Sequence, residues 1–446
     1  MSEGPRVLIA AEHASARFGG EAALPLHYFR VLRRRGVPVW LLTHARTRAE
    51  LSGLYPGDDH IHFIEDTGFH RTMWRIGQRL PDPIAYATTG FLSRVSTQLA
   101  QRRLARRLVR EHGITVVHQP MPVSPREPST LHGLGAPVLI GPMNGGMDYP
   151  PAFRRHRGIA ERVLYAAGRA SATVLNRLMP GKRRAATLIV ANRRTREALP
   201  AGLATEVVEL VENGVDLSLW QAPETPAEHA ADATTTFAYM GRLVDWKAVD
   251  LVVQAFAQAR TKVPMRLWIL GDGNERVRLE ALAVSLGLPR DPVLPGAIHF
   301  AGWLPQAECA ARLHEADALV LPSLLECGGA VVLEAMSLAK PVIATAWGGP
   351  LDYLDANCGL LVEPRSREAI VEGFAAAMLE LAGSPALRRR LGARGLERVR
   401  REFDWEIKVD RMLDLYSKCL GRQPVGAVAE PESGGPSITG RKETTK

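Results

Sequence analysis

Apolar residues occur along this chain as short uninterrupted runs, separated by longer stretches in which they return every three or four positions. Strands that are buried on both faces have such continuous runs, whereas the longer repeat is typical of amphipathic helices. Runs of the strand type are VLIA, VPVWLLT, ITVV, PVLI, TLIV, TFAYM, MRLWIL, IHFAG, ALVL and PVIATA. Their alternation with helical stretches predicts an α/β protein with doubly wound parallel sheets.

A change in composition divides the pattern. A turn at Asn213–Asp216 is followed by QAPETPAEHAADATTT, which is too polar to form a core, and a second strand–helix series then begins. We predict one domain over 1–215, a second over 216–402, a helix over 403–420 and a disordered tail over 421–446. The helix is expected to bury a stripe of Ile407, Met412, Leu415 and Leu420. Residues 60–90 have no clear pattern.

Charge and cysteine content narrow the functional classes. The chain has 446 residues, enough for two or three domains, and a net charge of +9. Residues 1–215 carry +13 and the remainder −4, which favours an anionic partner for the first domain or, equally, a solvated arginine-rich face. The four cysteines are widely spaced, so we expect a reducing compartment and neither a disulfide framework nor a zinc site.

Two carboxylates lie where a predicted strand passes into a helix, in LVLPSLLECGGAVVLEAM. Glu326 is in the loop and Glu334, eight positions later, is in the helix, so both can face one side of the helix N-terminus. Gly328 and Gly329 clear space for its free N–H groups, which suit phosphate. Acids beside an anion site would hold sugar hydroxyls; the alternative is two ordinary acids of an α/β unit.

Other strand ends carry residues suited to the same ligand. Arg242 and Lys247 follow the TFAYM strand and are an appropriate pair for a diphosphate. The GDG loop at Gly271–Gly273 and the AGW loop at Ala301–Trp303 follow the next two strands. Each loop alone is equally a plain turn, but their succession after parallel strands predicts one shared cleft.

Taken in order, these motifs resemble the retaining nucleotide-sugar glycosyltransferases of family 4. The matching stretches are NGVD from Asn213, GRLVDWKAVDLVVQAF from Gly241, ILGDG from Ile269, HFAGW from His299 and LPSLLECGGAVVLEAMSLAKPVIATAWGGP, which contains the family's E-x7-E. The resemblance covers most of 207–363. It implies the GT-B fold, with two Rossmann-like domains facing a cleft and a C-terminal helix that crosses back to the first domain.

The resemblance also implies roles for the second-domain residues. Arg242 and Lys247 bind the donor diphosphate and stabilise the leaving nucleotide. Glu334 holds ribose hydroxyls. Glu326 holds hydroxyls of the transferred sugar, with help from the backbone of 327–329. Cys327 replaces the glycine or aromatic residue that is more usual there, which bears on the preferred donor sugar.

In the first domain the resemblance is weaker. Gly19 and Gly20 follow the first strand and would lie under the diphosphate and the acceptor. They are not part of a G-x-G-x-x-G fingerprint, so NAD or FAD binding is not favoured. His118, at the end of a strand, corresponds to a family histidine near the donor sugar; the alternative is a structural histidine.

We therefore expect a retaining hexosyltransferase that moves sugar from a UDP- or GDP-sugar to a glycan or a polyprenyl-diphosphate-linked acceptor, in cell-surface polysaccharide or glycolipid synthesis. Retention implies front-face attack, in which the leaving phosphate takes the acceptor proton. Two cations replace a metal, so neither Mg²⁺ nor Mn²⁺ nor another cofactor is expected. The predicted location is cytoplasmic, with possible peripheral binding to the anionic inner face of the membrane through 102–110 and 154–184.

Three alternatives remain open. One is a glycogen- or sucrose-type synthase with a soluble acceptor, although the chain has no long insertions. Another is a nucleotide-sugar-binding protein without activity, against which the four charged site residues argue. Nucleic-acid binding ranks last, because the basic residues are not interleaved with stacking aromatic residues.

Overall fold

A computed structural model describes residues 4–156, 171–203, 206–221, 234–291 and 294–421. The predicted disordered tail, most of the polar linker and part of the basic stretch 154–184 lie outside these residues. The described chain contains two sheets of parallel strands covered by helices. This confirms the predicted α/β fold. The domain limits at residues 215 and 402 stay predictions.

The first sheet contains seven parallel strands in the order β3-β2-β1-β4-β5-β6-β7. Their bounds are β1 Val7–Ala10, β2 Val39–His44, β3 Ile61–Ile64, β4 Val116–Gln119, β5 Val138–Met143, β6 Thr187–Val190 and β7 Glu206–Glu209. The order reverses between β1 and β4, which are paired directly. At such a reversal the connecting loops diverge and leave a crevice at the carboxyl ends of the strands.

Helices cover both faces of this sheet. They are α1 Gly20–Arg34, α2 Arg48–Leu54, α3 Gly68–Gly77, α4 Asp82–Ala85, α5 Phe91–His112 and α6 Arg193–Glu197, and residues 171–178 are also helical. A π-helical turn, Tyr86–Gly90, joins α4 to α5. The region 60–90 that has no clear sequence pattern therefore holds β3, α3 and α4.

The second sheet has six parallel strands in the order β10-β9-β8-β11-β12-β13. They are β8 Thr235–Met240, β9 Met265–Leu270, β10 Ile298–Gly302, β11 Ala318–Leu321, β12 Val342–Thr345 and β13 Gly359–Val362. The covering helices are α7 Val249–Ala259, α8 Arg276–Ser285, α9 Gln306–Glu315, α10 Ala330–Ser337, α11 Pro350–Tyr353, α12 Arg367–Gly383 and α13 Pro385–Glu402. Here too the reversal, between β8 and β11, is made by directly paired strands.

The last helix, α14 (Trp405–Cys419), returns to the first sheet and packs beside α1. The predicted buried stripe is wrong in part: Met412 is buried, but Ile407, Leu415 and Leu420 are only partly so. Trp405, Lys408, Val409 and Tyr416 are buried instead. Polar side chains can be buried on this helix because Lys408 donates to the Val211 carbonyl and Tyr416 bonds to His118.

Among the described residues, no single helix has both the length and the apolar composition needed to cross a bilayer. The pair α12 and α13 passes that composition test together, but it is bent by 104° at the break between its two helices.

Candidate functional site

Three loops at the carboxyl edge of the second sheet are joined by backbone hydrogen bonds. Gly241 N–H donates to the Leu270 carbonyl at 2.9 Å, and Gly271 N–H donates to the Gly302 carbonyl at 2.8 Å. A side chain on Gly271 would collide with the Gly241 carbonyl, and its φ of +145° also favours glycine. The loops after β8, β9 and β10 thus form one edge, and the GDG motif serves to hold them together.

Lys247 and Glu326, 79 positions apart in sequence, form a direct ion pair. Only 15% of the lysine side chain and 11% of the glutamate side chain are exposed. Ser323 Oγ also donates to the Glu326 carboxylate at 3.2 Å, and Leu324 N–H donates to the Trp246 carbonyl at 2.9 Å. The loops after the neighbouring strands β8 and β11 therefore place two predicted donor-site residues in contact.

Arg242 lies on the same edge and is exposed. The Tyr239 hydroxyl donates to its backbone carbonyl at 2.9 Å, and its guanidinium carbon lies 6.0 Å from the centre of the Trp246 ring. In the part of the chain that the structure describes, no carboxylate pairs with this guanidinium. It is thus a cation with donors available to an external anion.

The N-terminus of α10 directly follows the loop whose Glu326 side chain pairs with Lys247. Its N-cap, Gly329, has φ +90°, and no side chain caps the helix, so its first N–H groups are unpaired by side chains. Gly328 is required by packing as well: an added Cβ would collide with the side chains of Glu212 and Asn213. Glycine at 328 therefore lets the loop approach the segment that leads out of the first sheet.

Glu334 lies within α10 and is partly buried. Among the described residues none donates a hydrogen bond to its carboxylate or pairs with it. Burial raises the pKa of Glu334 to about 7. A carboxylate held in a partly dry position without a partner gains most when a ligand supplies hydroxyl donors.

We expect Glu334→Gln to weaken donor binding about tenfold near pH 8 because a charged hydrogen-bond acceptor is lost. In the ligand-free protein the same substitution is expected to stabilise the fold. Burial keeps the Glu334 proton bound in the native state up to about pH 7, so the free energy of unfolding of wild type falls as the pH rises from about 4.5 to about 7. The variant should therefore melt higher than wild type at pH 8, by roughly 2–4 °C, and equally at pH 4.

Calorimetry and melting curves at both pH values test this prediction. Wild-type donor affinity should decline below pH 7, whereas the affinity of the variant should be independent of pH there. A variant that binds donor as tightly as wild type at pH 8 would exclude Glu334 from the donor site.

Cys327, next to Glu326, has an exposed side chain within the cleft. Desolvation and then the nearby Glu326 raise the pKa of this thiol to about 11. The thiolate is the nucleophilic form, so Cys327 is not activated for attack at neutral pH.

Polar residues that the sequence analysis did not single out connect the two sheets. Asn144 Nδ2 donates to the Glu212 carboxylate at 2.6 Å and to the Cys327 carbonyl at 2.9 Å. Arg194 lies 3.3 Å from Asp352 and also donates to the Cys327 carbonyl. Asn144 directly follows β5, so its position at a strand end was a usable signal.

The first domain has a cavity of about 680 Å³ at the carboxyl ends of its strands. Its lining includes Glu12, Glu21, Trp74, Arg94 and Glu127. Arg94 pairs with Glu127 at 2.8 Å. Burial and then Glu127 raise the pKa of both Glu12 and Glu21. The cavity therefore offers hydrogen-bond acceptors to a hydroxyl-rich ligand.

Gly19 and Gly20 lie at the start of α1, beside this cavity. Gly19 is the N-cap with φ +98°, and both glycines are exposed with open space around them. A ligand can approach this backbone closely, and the acidic Glu21 follows in the first turn. Their predicted contact with the diphosphate and acceptor stays a prediction.

His118 is completely buried within β4 and does not face the cleft. Its Nε2 lies 2.7 Å from the Gly141 carbonyl, which can only accept, so Nε2 carries the proton and Nδ1 accepts from the Tyr416 hydroxyl at 2.7 Å. Burial lowers the pKa of His118 to about 4. This geometry favours the structural alternative, because the histidine joins the first sheet to α14; its place beside the donor sugar stays a prediction.

Tyr416→Phe provides a test of that structural role. Loss of the hydroxyl leaves a buried ring nitrogen unpaired, at a cost of about 1–3 kcal/mol in unfolding free energy. Turnover per folded molecule should stay unchanged. If turnover falls while the denaturant midpoint does not move, His118 acts on the substrate after all.

Comparisons with known proteins find a family match in the second half of the chain. Residues 222–398 match the family model described as glycosyl transferases group 1. The lipopolysaccharide core biosynthesis glycosyltransferase LpsE of Rhizobium meliloti is 35% identical over 189 residues, which are 42% of this chain and 51% of LpsE. Glycogen synthase of Mycobacterium tuberculosis is 30% identical over 238 residues, 52% of this chain and 54% of the synthase. This chain thus spans about half the length of the curated relatives it matches.

Among solved structures, HepE of Anabaena in complex with UDP and glucose superposes over 93% of this chain and 99% of its own, with a TM-score of 0.58 and 16% identity. At this identity the likeness establishes the fold, which is GT-B as predicted. The finer assignment to family 4 stays a prediction.

Proposed function

We propose, from the match of residues 222–398 to the family model described as glycosyl transferases group 1, that this chain moves a hexose from a UDP- or GDP-sugar to a glycan or lipid-linked acceptor. The observation that carries the proposal is the ion pair between Lys247 and Glu326 on the edge that also presents the unpaired Arg242. Cations for a diphosphate and a carboxylate for sugar hydroxyls are then adjacent, as a nucleotide sugar requires.

The cations act on the leaving group. As the bond from the anomeric carbon to the phosphate oxygen breaks, negative charge grows on the diphosphate. Lys247 as a point charge and Arg242 as a bidentate donor stabilise that charge, and the N–H groups of α10 add to the field. Lys247 is held by Glu326 before the donor arrives, so diphosphate binding must exchange one anion for another.

The carboxylates orient the donor. Once Lys247 turns to the diphosphate, Glu326 accepts hydrogen bonds from hydroxyls of the transferred sugar, and Glu334 accepts them from the ribose. Both roles use the acids as hydrogen-bond acceptors, which holds the reacting carbon in place. Neither glutamate needs to act as a nucleophile.

The group transfer retains configuration. The acceptor hydroxyl attacks the anomeric carbon from the face that the phosphate leaves, and its proton passes to the departing phosphate oxygen. A new bond to the acceptor oxygen thus replaces the bond to phosphate, and no side-chain base or His118 is required. Because the two cations Arg242 and Lys247 stabilise the diphosphate, turnover should be unchanged by excess EDTA. A loss of activity in EDTA that Mg²⁺ or Mn²⁺ restores would contradict this.

The acceptor enters through the first domain. Glu12, Glu21 and Glu127 line its cavity. These acids suit the hydroxyls of a glycan, and the name of the R. meliloti relative supports an acceptor in cell-surface polysaccharide or glycolipid synthesis. We place the enzyme in the cytoplasm, peripherally on the inner face of the membrane, since its cysteines are free and its first domain is basic.

A glycogen- or sucrose-type synthase is the second candidate, and the similarity to the M. tuberculosis glycogen synthase favours it. The two candidates differ in acceptor. Incorporation of labelled sugar into a soluble α-glucan or sugar phosphate supports the synthase, and incorporation into organic-extractable lipid supports the first candidate.

A panel of UDP- and GDP-hexoses tests the proposal. We expect at least one to raise the melting temperature, since a ligand that binds the native state stabilises it by mass action. The same nucleotide sugar should release its nucleoside diphosphate slowly without acceptor. Stabilisation without release of nucleotide, with or without glycan acceptors, would indicate a binding protein that lacks activity.

A further inference from the structure

Helix α3 exposes large apolar side chains to solvent. Phe69 is 45% exposed, Trp74 66% and Ile76 42%. Of the ten residues of the helix, only His70 is buried. Exposed side chains of this size are common singly, but a cluster on one short helix marks a binding surface.

Helix α3 is held to the protein through His70 and Gly77. His70 Nδ1 accepts from the Thr67 backbone N–H at 3.1 Å, and its Nε2 lies 3.0 Å from Thr97 Oγ1 on α5. Gly77 is also directed inward, because an added Cβ would lie 2.9 Å from Thr89 Oγ1. At 3.6 residues per turn, Phe69 and Ile76 lie at one edge of this inward side and Trp74 at the other, so the apolar face of α3 is only partly covered.

The apolar exposure continues beyond α3. Ile84 and Tyr86, at α4 and the π-helical turn, and Leu92, at the start of α5, are also exposed. These elements contact α3 directly. We call the surface formed by Phe69, Trp74, Ile76, Ile84, Tyr86 and Leu92 the α3 surface.

Three arginines flank its apolar stripe. Arg71, Arg75 and Arg79 follow one another at four-residue intervals and are all exposed. Within the described ranges no carboxylate pairs with any of them. The acids just before the helix, Glu65 and Asp66, already pair with Arg48 and Arg46. An apolar stripe beside unneutralised arginines is the composition of a helix that lies in a lipid headgroup region.

Two arginines of the stretch 102–110, which the sequence analysis considered for membrane binding, are engaged within the protein. Arg102 donates to the His132 carbonyl at 3.1 Å, and Arg106 donates to the Gly133 carbonyl at 2.8 Å. Both help to hold α5 against the following loop.

We propose that the α3 surface binds an anionic phospholipid bilayer, with its apolar side chains at the boundary of headgroups and acyl chains. A second copy of the chain is a poorer occupant, since two-fold pairing would bring the three arginines of each copy together. Trp74 and Tyr86 also line the first-domain cavity. If the proposed function holds, docking sets the acceptor cavity at the membrane, where a lipid-linked glycan is presented.

Vesicle sedimentation with the full chain tests the proposal. Wild type should pellet with phosphatidylcholine vesicles that contain about one-third phosphatidylglycerol, and pellet less with pure phosphatidylcholine or high salt. Phe69→Ser with Ile76→Ser, seven residues apart on α3, should lower the bound fraction at least tenfold. The matched control is Val277→Ser with Val284→Ser, two exposed apolar residues seven apart on α8, which should pellet as wild type.

A melting curve and gel filtration show that each variant is folded and monomeric. The proposal is overturned if wild type does not bind anionic vesicles at low salt, or if Phe69→Ser with Ile76→Ser binds like the α8 control. A wild-type dimer that these α3 changes dissociate would overturn it too, in favour of self-association. Lys247→Ala should pellet like wild type, so failure of the donor site and failure of membrane binding are distinguishable.

Discussion

Replacing Lys247 with alanine is expected to lower donor turnover by about 100- to 1000-fold. The side chain is largely buried and is the direct partner of Glu326, so its ammonium is fixed rather than mobile. Without it, the diphosphate leaving group loses a point charge in a region from which water is partly excluded. The measurement is release of nucleoside diphosphate from the nucleotide sugar that best stabilises the protein.

Lys262→Ala is the matched control. Lys262 is exposed and lies in the same domain, three residues after the end of α7. The Lys262→Ala variant should have wild-type turnover. Lys247→Arg keeps the charge but changes its geometry, and should recover part of the activity. Turnover of Lys247→Ala within twofold of wild type would remove the lysine from the mechanism.

Lys408→Met is expected to cost about 3 kcal/mol of stability. Lys408 is only 1% exposed and donates to the Val211 carbonyl, next to Glu212, whose carboxylate is also buried. Burial lowers the pKa of Lys408, and Glu212 opposes that shift; burial raises the pKa of Glu212, and Lys408 opposes it in turn. Removal of the cation leaves a buried carboxylate uncompensated.

Denaturant midpoints at two pH values measure this effect. The loss should be large at pH 8 and smaller at pH 5, because the lone Glu212 is protonated there and no longer carries a charge. Lys408→Met with Glu212→Gln should recover most of the stability. Lys418→Met, on the same helix, removes only an exposed ion pair with Glu206 and should leave the denaturant midpoint nearly unchanged. Equal costs for the two lysines would contradict the coupling.

Most strands were predictable because their residues are buried on both faces, whereas β3, with two of its four residues only partly buried, lies in the stretch without a clear pattern. All six residues of β8, for example, are buried and read as one apolar run. Helix α3 was not predictable, since its apolar residues face solvent and a buried histidine holds it. The same reasoning explains α14, where Lys408 and Tyr416 lie inside because partners from distant parts of the chain satisfy them.

Predicting which site residues come together depended on strand order. Lys247 and Glu326 follow β8 and β11, which are neighbours in the sheet, so their loops meet. The hydrogen bond between His118 and Tyr416 could not be predicted, because the histidine lies within β4 rather than beyond its end and Tyr416 is 298 positions away. The first-domain acids could not be grouped, since the position of α3 and α5 over the strands decides which of them share a cavity.

Titration calorimetry with UDP- and GDP-hexoses tests the central claim most directly. The account predicts that at least one nucleotide sugar binds wild type and Lys262→Ala with equal affinity, in the range of about 1 µM to 1 mM that is usual for enzyme substrates. Lys247→Ala should bind it at least tenfold more weakly. If no nucleotide sugar binds wild type, or if Lys247→Ala binds as tightly, the second-sheet edge is not a nucleotide-sugar site.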